Sequence, residues 1–368
     1  MGERTGIQWC DSTATPVIGC WPVSPGCANC WARNDTPARV LRAGKWPGHR
    51  EPFETWTKDG PRYRVKGFAD TLRRMNARPW ICDGCGAAKA GRTPLADFQP
   101  CACGSVEFHR RRVFIGDSCD LFDPAWPADW LAETLWQMSL APDVVQILCT
   151  KRPELFDERM LAALNSSGGK WGTKACDFIH GWKCGAQVPQ NVCVLASVES
   201  QEQEARVKGL LRIPARWHGL SCEPLLGPLD PTRVYWPDRD GGAKYEDALR
   251  DPISDYAKRH YPAARSLNVP RLSWLIIGGE SGLNARPCNV GWIRALVRQG
   301  QTAGVATFVK QLGANVVTDD SLNNWPSATR VIGKLGSEDS RVLLEHHKGG
   351  DPSEWPDDLR IQQWPEGM

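Results

Sequence analysis

Arg112-Val113-Phe114-Ile115-Gly116-Asp117-Ser118-Cys119-Asp120 is the stretch from which the fold is read. Val113–Gly116 is a short apolar run that stops abruptly in small and polar residues. The same grammar recurs downstream. Val144–Cys149 ends in Thr150-Lys151-Arg152, and Asn191–Ala196 ends in Ser197-Val198-Glu199. Trp217–Ser221 runs into Cys222-Glu223, Leu272–Gly278 into Gly279-Glu280-Ser281-Gly282, and Ala306–Val309 into Lys310-Gln311. Each run has the length and the Val, Ile, Leu and Phe content of a strand buried on both faces. Ala125–Leu140 and Ile293–Ala303 carry apolar residues at helical spacing between such runs. Strand–helix alternation predicts an α/β fold with a parallel sheet, closed into a full or partial (β/α) barrel. Barrels build their sites at the C-terminal ends of the strands, which is where these polar residues fall.

The bulk properties bound the answer. A chain of 368 residues with 41% apolar content forms a sizeable core, and a net charge of +3 excludes a polycation. No run reaches the ~18 apolar residues of a membrane span. The opening MGERTGIQW carries no apolar signal region, so a cytoplasmic protein is expected. In a reducing compartment its 15 cysteines are metal ligands sooner than a disulfide framework. Some of the 18 tryptophans are core, and a groove that stacks bases is a use for others.

The runs divide the chain. Residues 1–75 read as a cysteine loop, a first barrel unit and a basic segment, and 76–108 as an insertion with paired cysteines. The rest of the barrel reads as 109–313, with polar insertions at 166–190 and 229–270, followed by a C-terminal extension over 314–368.

Two cysteine constellations stand out. Cys20, Cys27 and Cys30 share one loop whose prolines and Gly26 forbid a regular helix through most of it. Three thiolates are one short of the usual set for a [4Fe–4S] cluster and would leave one iron open. Zinc, with a fourth ligand from elsewhere such as Cys10, is the rival metal. The second constellation is Cys82-x2-Cys85, then Cys101-x-Cys103, with glycine after each pair. It reads as a zinc ribbon with four thiolates, a second iron–sulfur cluster being the rival. Residues 31–80 hold 12 Lys or Arg against 5 Asp or Glu, and His109-Arg110-Arg111-Arg112 follows the ribbon. With Trp46, Trp56, Tyr63 and Trp80 this segment is a candidate DNA grip; ordinary packing on a solvated face is the alternative. Cys176-x3-His180-x3-Cys184 has helical ligand spacing, but its Gly- and Lys-containing surroundings favour a loop.

The first constellation carries a resemblance. Ile7-Gln8-Trp9-Cys10-Asp11, Pro16-Val17-Ile18-Gly19-Cys20 and Val23-Ser24-Pro25-Gly26-Cys27-Ala28-Asn29-Cys30-Trp31-Ala32 resemble the opening of the phage three-cysteine-motif proteins. These are a divergent branch of the radical S-adenosylmethionine (SAM) superfamily. The resemblance continues through Thr150–Glu154, Leu220–Pro228, Ile277–Gly282, Ala285–Pro287 and Phe308–Gln311. Two departures stand out: six residues separate Cys20 from Cys27, and Gly278-Gly279-Glu280 follows a late strand.

The resemblance implies a [4Fe–4S] cluster on Cys20, Cys27 and Cys30, SAM as cosubstrate and a 5′-deoxyadenosyl radical that abstracts hydrogen from a substrate. It implies SAM contacts from Gly116, Asp117, Ser118, Asp120, Lys151, Ser197, Glu199, Gly278, Gly279, Glu280 and Lys310. Glu223 becomes a contact to SAM or substrate. Cys119 or Cys222 becomes a candidate hydrogen donor, each being otherwise a buried small hydrophobe. The implied activity is isomerisation of an amino acid carried on the 5-methyl group of thymidine, by moving its attachment from nitrogen to the α-carbon. The implied partners are DNA with the modified base flipped out of the duplex and a host electron donor such as flavodoxin. A radical SAM lyase of damaged pyrimidines and a non-catalytic zinc DNA-binding protein are the competing functions.

Overall fold

The structure is a computed structural model that describes residues 2–33, 55–91, 99–166, 172–237, 243–250, 272–318, 325–326, 330–335 and 339–368. Its centre is one parallel sheet of seven strands: β1 (Ser12–Ala14), β2 (Arg112–Ile115), β3 (Val145–Thr150), β4 (Val192–Ser197), β5 (Trp217–Cys222), β6 (Trp274–Gly278) and β7 (Ala306–Gln311). Within the sheet the strands follow one another in chain order. The sheet curls into a half-barrel, the partial form of the expected architecture. The six predicted runs coincide with β2 to β7 within about two residues; β1 is additional.

Helices cover the convex face. They include α1 (Phe68–Ala77), α2 (Ala128–Ser139), α3 (Phe156–Ser166), α4 (Gly172–Lys183), α5 (Ala205–Leu210) and α6 (Val290–Ala303). The α6 boundaries show local chemistry at work. Asn289 Oδ1 accepts from the Gly291 N–H at 2.7 Å, and Gly304 ends the helix at φ 68°. The expected loop around Cys176, His180 and Cys184 is instead helix α4, with Cys184 at its end.

The described residues of the 314–368 segment pack against the rest of the fold. Val316–Thr318 lies between Cys288–Asn289 and Asp339–Leu343 in a second sheet. Trp355 is fully buried, and Gln362 pairs antiparallel with Phe308 of β7. In the 229–270 insertion, Val234–Pro237 and Ala243–Glu246 form a hairpin, with Val234, Ala248 and Leu249 buried beside it. The remainder of that insertion, 251–271, lies outside the described residues.

Alternation along the strands builds the concave interior. Val113, Ile115, Leu148, Val194, Ala196, Leu220, Leu275, Ile277 and Val309 pack against the helices. Val145, Ile147, Cys193, Leu195, Trp217, Trp274, Ile276 and Phe308 face inward with Trp9. The next inward positions are Cys149, Ser197, Ser221, Gly278 and Lys310, followed by Lys151, Glu199, Glu223 and Glu280. The interior therefore runs from an apolar floor, through small polar groups, to a charged mouth at the C-terminal ends. Trp364 seals the floor: its ring lies 5.0 Å from Phe308, and its indole N–H donates to the Trp9 carbonyl at 3.1 Å.

Candidate functional site

The three-cysteine loop lies across the mouth. Its backbone is fixed locally by a 3-10 turn over Pro25–Cys27, with the Cys27 N–H donating to Ser24 O at 3.0 Å and the Cys30 N–H to Cys27 O at 3.3 Å. The N–H groups of Gly19 and Cys20 donate to Ser118 O and Thr55 O, both at 3.1 Å, and hold the start of the loop.

Two carboxylates from strand ends clamp the loop. Glu199, beyond β4, is fully buried; Ser24 Oγ donates to its Oε1 at 2.8 Å, and Arg206 Nη1 to its Oε2 at 2.7 Å. Gly26 lies directly on this carboxylate: a Cβ there would sit 2.2 Å from Glu199 Oε1. The Ser-Pro-Gly-Cys sequence thus has glycine where only a hydrogen atom fits. Glu280, beyond β6, accepts from Asn29 Nδ2 at 3.0 Å and from the Arg286 backbone N–H and Nε, each at 2.9 Å. Arg286 also donates through Nη1 to Pro25 O at 2.9 Å. Burial raises the Glu280 carboxyl, but these donors outweigh it and hold the group below its usual range.

A third tie runs through Cys20. Arg152 Nη1 lies 3.6 Å from Cys20 Sγ and 3.0 Å from Asp120 Oδ2, while Nη2 donates to Trp21 O at 2.7 Å. Asp120 also accepts from Thr150 Oγ1 at 2.7 Å and from the Lys151 N–H at 2.9 Å. Burial pushes the Cys20 thiol up to about 12, Asp120 adding to the rise and Arg152 opposing it. A metal centre is what would draw its thiolate out.

These contacts redistribute the predicted site residues. Glu199, Glu280 and Asp120 spend their oxygens on the loop and on the β3 end, where contacts to SAM were expected. Gly279 packs on backbone, its would-be Cβ 2.1 Å from Leu312 O. Cys222 faces the helix-side core with no exposure, so it does not line the mouth as a hydrogen donor. Cys119 sits beside the cysteine loop, bridged to Gly19, and packs against the same core. Cys10, the suggested fourth ligand, is buried in the floor cluster instead.

The groups that line the mouth are few. Cys149 Sγ lies 3.3 Å from Ser197 Oγ, one turn of the pleat below Lys151. Lys151 Nζ lies 3.4 Å from Glu199 Oε1. Burial opposes the Lys151 charge, but Glu199 and the thiols of Cys27, Cys149 and Cys30 raise its pKa, so the ammonium persists. Lys310 pairs with Glu223 on the other side of the mouth. Asp117 and Ser118 follow Gly116 at the β2 end, with Ser118 Oγ 3.5 Å from Asp117 Oδ1. Sequence reading missed Ser24, Gly26, Asn29, Arg152, Arg206, Arg286, Cys149 and Ser221. The quoted blocks around Ser24–Cys30, Thr150–Glu154, Leu220–Pro228 and Ala285–Pro287 contained Ser24, Gly26, Asn29, Arg152, Ser221 and Arg286 without assigning them a role; Arg206 had no signal, and Cys149 read only as a strand residue.

The four paired cysteines come together as their spacing predicts. Trp80–Cys82 is the central strand of a small antiparallel sheet with Ala88–Lys89 and Phe108–Arg110. Gly86 and Gly104 take φ of 67° and 89°, which lets the chain turn back behind each cysteine pair. Cys82 and Cys103 Sγ are 3.6 Å apart, as are Cys85 and Cys101 Sγ, and all four sulfurs lie within 4.8 Å of one another. Tetrahedral zinc with Zn–S near 2.3 Å requires sulfurs about 3.8 Å apart, so this site fits a metal ion such as zinc. Among the described residues no other trio of thiol, imidazole or carboxylate ligands gathers so tightly; Cys20, Cys27 and Cys30 stand wider apart.

Among the described residues, part of the candidate DNA grip is taken up by packing and ion pairs, while residues 34–54, with Arg39, Arg42, Lys45 and Arg50, lie outside them. Trp56 and Trp80 are buried, and Tyr63 packs against Trp56. Arg62 pairs with buried Asp123 at 2.8 Å, and Arg73, Arg74, Arg78 and Arg112 each pair with a carboxylate. Arg110 donates to the Pro142 carbonyl at 2.8 Å, and Arg111 is buried. Trp46 lies outside the described residues. In α4, Cys184 Sγ approaches His180 Nδ1 only to 4.0 Å, and no three-ligand group forms there. No helix among the described residues is long and apolar enough to cross a membrane.

No curated protein and no solved structure matches this chain. Residues 4–346 match the model of the family described as "Protein of unknown function (DUF5131)", and with nearly its whole length covered the chain belongs to that family.

Proposed function

We propose that the chain is a radical SAM enzyme that isomerises an amino acid carried on the 5-methyl group of thymidine in DNA. The observation that carries the reading is the clamp. Three cysteines are held over the C-terminal mouth of a parallel half-barrel by Glu199 and Glu280, carboxylates from two different strand ends. Three soft thiolates in one short loop suit an iron–sulfur cluster. Cys20, Cys27 and Cys30 would hold a [4Fe–4S] cluster, which would supply the electron for reductive cleavage of SAM.

The chain's own residues supply position and shelter. Glu199, Glu280 and Arg152 fix the loop, so the thiols meet their ligand without reordering. Lys151 keeps a cation beside Cys27 and Cys30, where it offsets thiolate charge. Ser197, Ser221 and Cys149 offer short polar groups in the layer below, suited to hydroxyl and amino functions. The tryptophan floor excludes water from beneath, as a reactive carbon intermediate requires.

Anaerobic reconstitution with iron and sulfide, followed by SAM and dithionite, is expected to yield 5′-deoxyadenosine and a brown protein with about four irons beyond the ribbon zinc. A fully iron-loaded sample that never cleaves SAM refutes the reading. Product analysis on oligonucleotides bearing aminoacylated or photodamaged pyrimidine separates an isomerase from a lyase.

A further inference from the structure

We propose that Glu223 and Lys310 form a second zwitterion site in the mouth, Glu223 taking an ammonium group and Lys310 a carboxylate of the substrate's amino-acid portion. The inference rests on the function proposed above and names what that site recognises.

Geometry puts the pair in the mouth. Ile276 and Phe308 face the interior, so Gly278 and Lys310, two residues further along each strand, face it too. Cys222 faces the helices, so Glu223 turns inward. Gly278 lies between them on β6 and leaves the space through which the two side chains meet. A Cβ at Gly278 would be 3.6 Å from Glu223 Cδ and 3.3 Å from Gln311 Cγ. Both side chains keep access to solvent, at 17% for Glu223 and 21% for Lys310.

Glu223 differs from the other mouth carboxylates in what it holds. Glu199 and Glu280 have side-chain exposures of 1% and 5%, and each accepts a hydrogen bond from the cysteine loop, from Ser24 and Asn29 respectively, beside an arginine partner. Glu223 has Lys310 as its ion partner and holds no part of that loop. Lys151 acts on Cys27 and Cys30, whereas Lys310 acts on Cys10 in the floor. The mouth therefore carries two ammonium–carboxylate pairs, one against the thiols and one away from them. The SAM methionine end belongs at the thiols. A ligand bearing its own amine and carboxylate can replace the Glu223–Lys310 contact group for group, exchanging one ion pair for two.

The test uses zinc-loaded, cluster-reconstituted protein without reductant, with binding measured calorimetrically. Three probes are compared: thymidine with glycine N-linked to its 5-methyl carbon, the same nucleoside as its carboxamide, and the counterpart with an ether oxygen replacing the amine. Wild-type protein is expected to prefer the first probe over each of the others by about tenfold or more, the range of a charge-assisted hydrogen bond. Glu223→Gln should lose the preference over the ether and keep that over the carboxamide. Lys310→Met should do the reverse, and Lys310→Arg should keep both. Equal or absent binding of the three probes to wild type, or variants that retain both preferences, overturns the inference. Should one substitution prevent folding, the wild-type preferences and Lys310→Arg still decide. SAM cleavage is scored separately: 5′-deoxyadenosine formation without these preferences sinks the inference alone, and its absence sinks the parent reading.

Discussion

Gly26→Ala puts the clamp to its most direct test. No left-handed backbone demands glycine there; the position is reserved by space alone. The added methyl would lie 2.2, 2.6 and 2.7 Å from Oε1, Cγ and Cδ of Glu199. That carboxylate has nowhere to retreat, because Ser24, Arg206 and Lys151 all engage it and it is fully buried. Ordinary overpacking costs about 1–3 kcal/mol, and tearing a buried ion pair about 3–5 kcal/mol. The loop should therefore swing off its seat at a cost near 3 kcal/mol, a shift of roughly 150-fold in the docked population. Iron and sulfide per chain after anaerobic reconstitution should fall steeply, while ribbon zinc stays at wild-type level. Glu199→Ala attacks the same contact, so the double variant should be no worse than Glu199→Ala alone. Ala28→Gly, two residues away and exposed, is the control and should load normally. A Gly26→Ala protein with wild-type iron content and melting temperature would mean that Glu199 does not hold the loop.

Other consequences can be measured. Cys103→Ser, or dialysis against a strong chelator, should remove one zinc per chain and unfold the ribbon, seen as rapid amide exchange over Trp80–Arg110. Iron loading of the other site should survive that treatment. Arg152→Ala leaves buried Asp120 without its guanidinium partner and should lower stability by about 3–5 kcal/mol in urea titration. Burial depresses the His218 pKa below 6.5, although its 2.7 Å contact with Ile213 O opposes the shift. The unfolded chain then takes up this proton first. His218 stabilises the fold above pH 6.5 and loses that contribution as pH falls toward the folded value. His218→Gln should flatten the melting temperature over that acid window, and an unchanged slope would contradict the assignment.

Much of the half-barrel was legible because parallel strands buried on both faces spell out apolar runs such as Val145–Leu148 and Trp274–Ile277. β1 was not, because Ser12-Thr13-Ala14 has no apolar run and owes its strand conformation to pairing with Val113–Ile115. The mouth was legible as a set of positions but not as a set of contacts. Glu199 and Glu280 stood where a ligand was expected, yet their partners lie 175 and 251 residues away at Ser24 and Asn29, beyond any local pattern. The four-cysteine cluster was readable because its thiols and both turning glycines are encoded within 23 residues. Trp56 and Trp80 misled for the opposite reason: a basic neighbourhood does not say whether an aromatic ring faces solvent or core.

A half-barrel has two free margins, and each is a row of unsatisfied amide and carbonyl groups able to recruit a strand from another molecule. Here both margins are blunted from within. Gly2 bridges antiparallel to Thr13 along β1, and the Ile361–Gln363 backbone bonds to Val309 and Thr307 along β7. Residues that look dispensable at either extremity are therefore insulation. Trimming them would expose sticky borders, so a shortened protein should meet insolubility before it meets any loss of chemistry.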